Sequence, residues 1–396
     1  MILQFGLQIF CLLWLVYGND SKALTFSQVN DGGPSSQTMA YLKADGNKSY
    51  KKLKVGVVGL VHTHVHWILG RQDFGDIEIV GIVEPNRDLA ERYAQQHGYS
   101  MDLVFETLEE MVEKTNPSAV TAFNTIYDHL EVVEYCAPRG IHVMVEKPMA
   151  VSWEHAKKMA AIAQQHDILL LTNYETSWYN SHWKAYEHTV ENPGFGEIRK
   201  MTFNTGHPGP IEIGCNIEFL DWLTDPVLNG GGALTDFGCY GANLATWFLK
   251  GEKPLSVFCT TNQLKPDKYP KVDDDATIIL DYEGTQVLIR ASWNWSHNRK
   301  DTEVYGVQGY VFCHNQQDMT ILDAEKEGPY QVQPSSSGRP SHDPFAYLND
   351  VINEEYQITK FEPSSLENNL IVMQILELAK KSAASGQKIF WADHFN

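Results

Sequence analysis

No two of the six cysteines (Cys11, Cys136, Cys215, Cys239, Cys259 and Cys313) are spaced C-x-x-C. That absence excludes a zinc ribbon and a dithiol redox motif. A chain of 396 residues also has core enough to fold without a disulfide framework. Positive charge is in short supply: 31 Lys and Arg against 50 Asp and Glu leave a net charge of −19. Nucleic acid and anionic lipid each require a basic face. Neither is expected as a partner, whereas a neutral or polar small molecule is. No internal repeat is visible, which argues against a solenoid. A hydrophobic content of 43% with 11% aromatics is that of a globular protein. At roughly 150 residues per domain, the length suggests two or three domains.

The first seventeen residues, MILQFGLQIFCLLWLVY, carry no charged side chain. Their apolar run is shorter than the roughly 20 residues that span a bilayer. With the small residue Gly18 after it, the segment reads as a signal peptide over residues 1–18. Export, to a periplasm or to the outside, is expected, with no stable membrane span in the mature chain. Residues 19–51 are rich in Ser, Gly, Asn, Asp and Lys and read as a linker or arm.

From residue 52 to 172 short apolar runs alternate with helical patterns. Strands are expected at 54–60, 77–83, 119–123, 142–145 and 168–172. Helices are expected after residue 61 and at 87–97, 130–137 and 152–166. This alternation predicts a doubly wound parallel sheet of Rossmann type, which binds ligand beyond the carboxyl ends of its strands. Gly59 ends the first strand, and Glu84 ends the second. Gly59 suits a phosphate-binding turn and Glu84 suits ribose hydroxyls. The G-x-G-x-x-G fingerprint is incomplete, because the segment from Gly59 continues as Leu60, Val61, His62, Thr63, His64. Val61 and His64 stand where the second and third glycines would be. A carboxylate at position 84 favours NAD over NADP, while Arg87 leaves NADP open. His62 and His66 would share one helix face, but no carboxylate is near them in sequence, so no metal is assigned.

Two later stretches are more specific: Glu146, Lys147, Pro148 at the end of a strand, and Gly230–Asn243, GGGALTDFGCYGAN. With the strand–turn–helix beginning, these resemble the glucose–fructose oxidoreductase/inositol dehydrogenase (Gfo/Idh/MocA) family. The resemblance runs from about Lys52 to about Phe390. It implies that Lys147 and Glu146 lie beside the nicotinamide and the substrate. It places the family's D-x-x-x-H/Y motif on Asp236 and Tyr240, and its T-P-x-x-x-H loop on Asn124 to His129. It implies residues 173–396 as a second domain with a largely antiparallel open sheet, used for substrate and oligomerisation, whose closing helices return to the first domain. A homodimer or homotetramer is implied.

The residues themselves agree with that chemistry. Asp236 and Tyr240 are four apart and share a helix face. Oxidising a sugar carbon needs a base for the hydroxyl proton. Tyr240 serves if the Lys147 ammonium lowers its pKa, and a nicotinamide takes the hydride. Glu175, Trp178, His182 and His207 lie in stretches dense in aromatic and hydrogen-bonding groups, as sugar sites are. The reading is an NAD- or NADP-dependent sugar oxidoreductase, its cofactor tightly bound. Cofactor contacts are expected at Gly59, Val61, His62, Thr63, His64, Glu84, Asn124, His129, Glu146 and Lys147. Two alternatives stay open: a glycosidase-type enzyme working through transient oxidation of a sugar, and a non-catalytic sugar-binding protein that has lost the nucleotide.

Overall fold

The computed structural model describes residues 51–335 and 343–395. The expected signal peptide and nearly all of the expected arm lie outside the described residues. Among those described, no helix is long and apolar enough to cross a membrane.

The first half is a doubly wound α/β unit. Its elements are β1 (Leu53–Val58), α1 (Val65–Leu69), β2 (Ile77–Val83), α2 (Arg87–His97), β3 (Val104–Phe105), α3 (Leu108–Thr115), β4 (Ala119–Ala122), α4 (His129–Cys136), β5 (His142–Glu146), α5 (Trp153–Gln165) and β6 (Leu170–Asn173). The sheet order is β3-β2-β1-β4-β5-β6 and every pairing is parallel. Order reverses between β1 and β4, which opens a crevice at their carboxyl ends. The two-residue β3 was not expected, being too short for a visible hydrophobic period. Helix starts follow local chemistry. Asn86, Thr107 and Ser152 cap α2, α3 and α5 by accepting backbone N–H groups.

The second half contains α6 (Asn180–Tyr186), β7 (Ile198–Gly206), α7 (Ile217–Leu223), α8 (Ala233–Phe248), β8 (Ser256–Asn262), β9 (Asp275–Asp281), β10 (Gln286–Ser292), β11 (Arg299–Gly306), β12 (Gly309–Cys313), β13 (Met319–Asp323), β14 (Tyr330–Val332), α9 (Pro344–Ile352), α10 (Leu366–Ser385) and β15 (Ile389–Phe390). Its sheet runs β14-β13-β12-β11-β7-β10-β9-β8-β15, antiparallel except for β7 with β10. The β-type stretch 303–313 reads as one strand by its Val, Tyr and Phe content, but it is two, β11 and β12, turning at Val307 and Gln308 between Gly306 and Gly309. Those two glycines were the turn signal.

α8 is buried along its whole length. That is the burial of a helix apolar on every side, here packed between the large sheet and α10. α9 returns to the first sheet, where Phe345, Tyr347 and Leu348 join the core formed by Val55, Val57 and Ile82. Asn349 donates to the carbonyls of Lys51 and Asp76. Arg71 ties the same region together through Asp76 and Asp343.

Candidate active site

The loop after β1 is shaped by Gly59. Its φ is +81°, and a side chain there would place Cβ 2.7 Å from the Asn124 backbone. Only glycine lets the loops after β1 and β4 approach so closely. Glu84, ending β2, accepts the Leu60 N–H at 2.9 Å on one oxygen and the Asn86 N–H at 2.9 Å on the other. Burial pushes its carboxyl up, against these hydrogen bonds. Each oxygen keeps a lone pair free for a ribose hydroxyl. Arg87 is exposed and pairs with Glu91. Asn124 Oδ1 and His129 Nε2, at the carboxyl end of β4, are buried with no hydrogen-bond partner among the described residues. Buried polar groups are nearly always paired. The residues of this crevice therefore fit a polar cofactor such as a dinucleotide.

The second domain closes over this loop through α7. Trp222 and Phe219 pack on the His62 ring, at centroid distances of 5.6 and 5.3 Å. The Trp222 indole donates to the Val61 carbonyl at 3.4 Å. Arg92 and Tyr93 on α2 bond Glu218 and Asn216 at the start of α7. Thr63 is partly exposed, and its carbonyl accepts the His66 N–H.

β5 carries Glu146 and Lys147 to its carboxyl end. Lys147 Nζ donates to Asp236 Oδ1 at 2.5 Å and to the Asp236 carbonyl at 3.3 Å. The other Asp236 oxygen accepts the Trp293 indole N–H at 3.0 Å. Both members of the ion pair are buried. Burial raises the Asp236 carboxyl, but the charge and hydrogen bond of Lys147 outweigh it and hold it below the ordinary value. Burial lowers the Lys147 ammonium, and Asp236 carries it above the ordinary value.

A second ion pair stands across the cleft. Lys300 Nζ lies 2.5 Å from Glu175 Oε2, and the Tyr179 hydroxyl donates to Glu175 Oε1. The two ammonium groups flank one ring: Lys147 Nζ is 5.2 Å and Lys300 Nζ 5.7 Å from the Tyr240 centroid. The expectation that Lys147 lowers the Tyr240 pKa is corrected here. Burial pushes the hydroxyl well above its ordinary value, and Glu175 and the other nearby anions add to the shift. Lys147 is neutralised by Asp236 at hydrogen-bond range, so its field at Tyr240 is largely cancelled.

His207 joins the cleft, its ring edge-on to Phe237 at 5.0 Å and its Nδ1 accepting the Gly209 N–H at 2.9 Å. Burial lowers it to about 4, with Asp236 acting in the opposite sense. His182 is elsewhere. It is fully buried, with Nδ1 on the Thr176 carbonyl and Nε2 on the Thr302 hydroxyl, so neither ring nitrogen is left for a ligand. Trp178 is also a packing residue, its indole N–H on Asn173 Oδ1 at 2.8 Å and its ring against Tyr347. Tyr179, Asn173 and Lys300 were missed. Asn173 and Tyr179 lie in the same aromatic-rich stretch as Glu175 and Trp178, whereas nothing in its local sequence marks Lys300. Lys300 reaches the site through the β11–β7 register, which pairs it with Thr205.

His62, His64 and Glu146 converge, with His64 Nδ1 2.9 Å and His62 Nε2 3.9 Å from Glu146 Oε2. The tertiary fold thus supplies the carboxylate that the local sequence lacked. His62 Nδ1 accepts the His64 N–H at 3.1 Å, which puts the proton of the neutral ring on Nε2. The atom facing Glu146 carries that proton but lies beyond hydrogen-bond range and is buried without a partner among the described residues, so of the two rings His64 is the one that bonds the carboxylate. His66 is engaged with His97 instead, at 2.8 Å.

The N-terminus of α8 is held by Asp273. Its carboxylate accepts Gly232 N–H at 3.0 Å and Leu234 N–H at 2.7 Å, and its carbonyl accepts Ala233 N–H at 2.9 Å. A Cβ on Gly232 would fall 1.8 Å from that carbonyl oxygen. Gly232→Ala is expected to displace Asp273 at a cost of about 1–3 kcal/mol and to lower turnover by shifting Asp236 and Tyr240. A melting curve and a rate matching those of the unaltered protein would contradict this account of the helix start.

Comparison with known proteins agrees with the geometry. Residues 53–174 match the model of an oxidoreductase family with an NAD-binding Rossmann fold, and residues 183–312 match the GFO/IDH/MocA C-terminal domain. The chain belongs to the Gfo/Idh/MocA family. Among its relatives, myo-inositol 2-dehydrogenase of Thermotoga maritima is 20% identical over 283 residues, covering 70% of this chain and 79% of the relative. Trans-1,2-dihydrobenzene-1,2-diol dehydrogenase of Xenopus laevis is 25% identical over 239 residues, covering 60% and 67%. Among solved structures, an inositol dehydrogenase homologue from Azotobacter vinelandii complexed with NAD+ superposes with a TM-score of 0.75 at 15% identity, covering 88% of this chain and all of that one. At that identity the likeness is one of fold.

Proposed function

We propose that this protein is an NAD(P)-dependent oxidoreductase that moves hydride to or from a hydroxyl-bearing carbon of a sugar or sugar derivative. The observation that carries the reading is the buried Lys147–Asp236 pair beneath Tyr240, at the carboxyl ends of a Rossmann sheet. The family supplies the chemical class. Relatives named as inositol, xylose and anhydrofructose enzymes supply the substrate class.

A bound nicotinamide supplies hydride exchange. The chain's own residues do the rest. Gly59, Glu84, Asn124 and His129 line the crevice for the dinucleotide, with Val61, His62, Thr63, His64, Glu146 and Lys147 beside it. Asp236 holds Lys147 charged, and that ammonium favours negative charge developing on a substrate oxygen. Tyr240 works in its protonated form, as a hydrogen-bond donor to that oxygen. His207, Lys300 and Glu175 pair substrate hydroxyls. Tight retention of the cofactor is supported by α7, which closes the loop after β1 from the second domain. A homodimer or homotetramer is proposed from family membership, with light scattering as its check.

The test is direct. The purified chain is titrated with NAD+ and with NADP+ by tryptophan fluorescence, and nicotinamide absorbance is then followed with myo-inositol, D-xylose and levoglucosan. Binding of one dinucleotide and reduction with at least one polyol are expected. Tyr240→Phe is expected to lower kcat by about 10²–10⁴-fold with an unchanged melting temperature. A chain that binds a sugar but neither dinucleotide would replace this reading with the non-catalytic one.

A further inference from the structure

Among the described residues three carboxylates are buried in the cleft, with two ammonium groups to pair with them. Asp236 is paired with Lys147 and Glu175 with Lys300. Glu146, 1% exposed, has no cation of its own. Its oxygens are instead ringed by neutral donors. Asn173 Nδ2 donates to Oε1 at 2.5 Å, and His64 Nδ1 lies 2.9 Å from Oε2. The Lys147 backbone N–H adds a longer bond at 3.4 Å. Asn173 is oriented in turn by the Trp178 indole, which donates to its oxygen. The result is a chain running Trp178, Asn173, Glu146, His64.

An ionised carboxylate can only accept. Its bond to His64 therefore fixes the proton on Nδ1 and leaves the Nε2 lone pair free. The imidazole plane is set by stacking on Trp67, with centroids 3.9 Å apart and planes 15° apart. His64 is also the partly exposed member of the pair, its side chain 12% accessible against 1% for Glu146. Burial lowers the ring from 6.5 to about 3, with Lys147 and Lys300 acting in the same sense and Glu175 and Asp236 against it, so it is neutral at pH 7 and has the same two ammonium groups beside it as Tyr240. His62, packed against it edge-on at 4.6 Å, is the remaining titratable neighbour.

We propose that His64, aimed by Glu146, is the base that accepts the substrate's hydroxyl proton. The proposal rests on the oxidoreductase reading above. The need for it is physical, because a tyrosine held protonated by burial is an acid and not a base at neutral pH. In the oxidative direction the substrate O–H bond breaks, and its proton goes to His64 Nε2. The freed pair becomes the second C–O bond as the C–H pair leaves as hydride to the nicotinamide. Glu146 balances the imidazolium that forms, as a carboxylate behind a catalytic histidine does. Tyr240 and Lys147 hold the carbonyl oxygen. His64 thus does work that a glycine at this point of the fingerprint has no side chain to do.

The experiment uses the full chain, His64→Gln and Glu146→Gln. Nitrogen-15 NMR of the histidine rings is expected to show His64 protonated at Nδ1 with Nε2 bare, and Glu146→Gln is expected to mix the two tautomers. NAD+ affinity, read by tryptophan fluorescence, is expected to fall far less than kcat in His64→Gln, the ring lying beside the dinucleotide. With myo-inositol or whichever polyol of the panel is oxidised, kcat is expected to fall by about 10²–10⁴-fold. A His64 ring protonated at Nε2 overturns the proposal without any substrate. So does a large loss of NAD+ affinity in His64→Gln, which would make the residue a cofactor contact. Parent-like oxidation by a folded His64→Gln also overturns it while leaving the oxidoreductase reading intact. A parent chain that binds no dinucleotide overturns that reading itself, and this proposal with it.

Discussion

Lys147→Met is expected to abolish sugar oxidation and to destabilise the fold by about 3–5 kcal/mol, as removal of one partner of a buried ion pair does. Lys147 and Asp236 have side-chain exposures of only 6% and 5%, so solvent does not screen the pair. Without the ammonium, Asp236 keeps a single strong donor, the Trp293 indole. Its carboxyl is then expected to rise, because the largest influence opposing burial is gone and only His207 and Trp293 still act against it. A companion change makes the cause identifiable. Asp236→Asn in the Lys147→Met background removes the stranded charge and is expected to recover part of the lost stability, so the two changes are non-additive. Urea denaturation of the four proteins measures this coupling. A Lys147→Met protein with the parental midpoint would show that the pair contributes nothing to the fold. The loss of activity has a separate origin, the missing ammonium at the developing oxyanion, and is not expected to return in the double variant.

Acidification is expected to destabilise the protein as its buried histidines take up protons. His129 and His182 are fully buried, and burial lowers both from 6.5 to about 4. The folded state therefore resists protonation where the unfolded chain accepts it. The stability these rings contribute is complete above pH 6.5 and is lost as pH falls from there toward 4. Each lost pH unit costs up to about 1.4 kcal/mol per ring. Two rings together remove several kcal/mol, against a typical total of about 5–15 kcal/mol. His207, also lowered to about 4, acts in the same sense. Glu84, Glu146, Asp273 and Glu362 act in the opposite sense, since burial raises each of them and the folded state takes up their protons first. Melting temperatures across the range are expected to fall steeply just below pH 6.5. A flat profile there would mean that these histidines are charged in the folded protein.

How much of this was legible beforehand varied with the range of the interaction. The strand at 77–83 and the helix at 87–97 were read where the structure has them. Apolar period and turn residues act over a few neighbours, and those neighbours are in the sequence. Gly59 was legible for the same reason, whereas Lys147, Asp236 and Tyr240 were marked by the family resemblance. The two-residue β3 and the split of β11 from β12 were not read. One is too short to show a period, and the other turns on Gly306 and Gly309 within a stretch of strand-forming residues.

The amino-acid order alone determined the doubly wound class, the dinucleotide-type crevice and the two motifs that meet in it. The tertiary structure decided which charges cancel. It put Asp236 on Lys147 and so left Tyr240 protonated, buried His182 away from any ligand, and brought Lys300 across from β11. It also set Glu146, 82 residues from His64 in the chain, against that ring. The physical reason is that pKa values and hydrogen-bond partners depend on distances of a few ångströms and on the exclusion of water, and both arise only when separate elements pack.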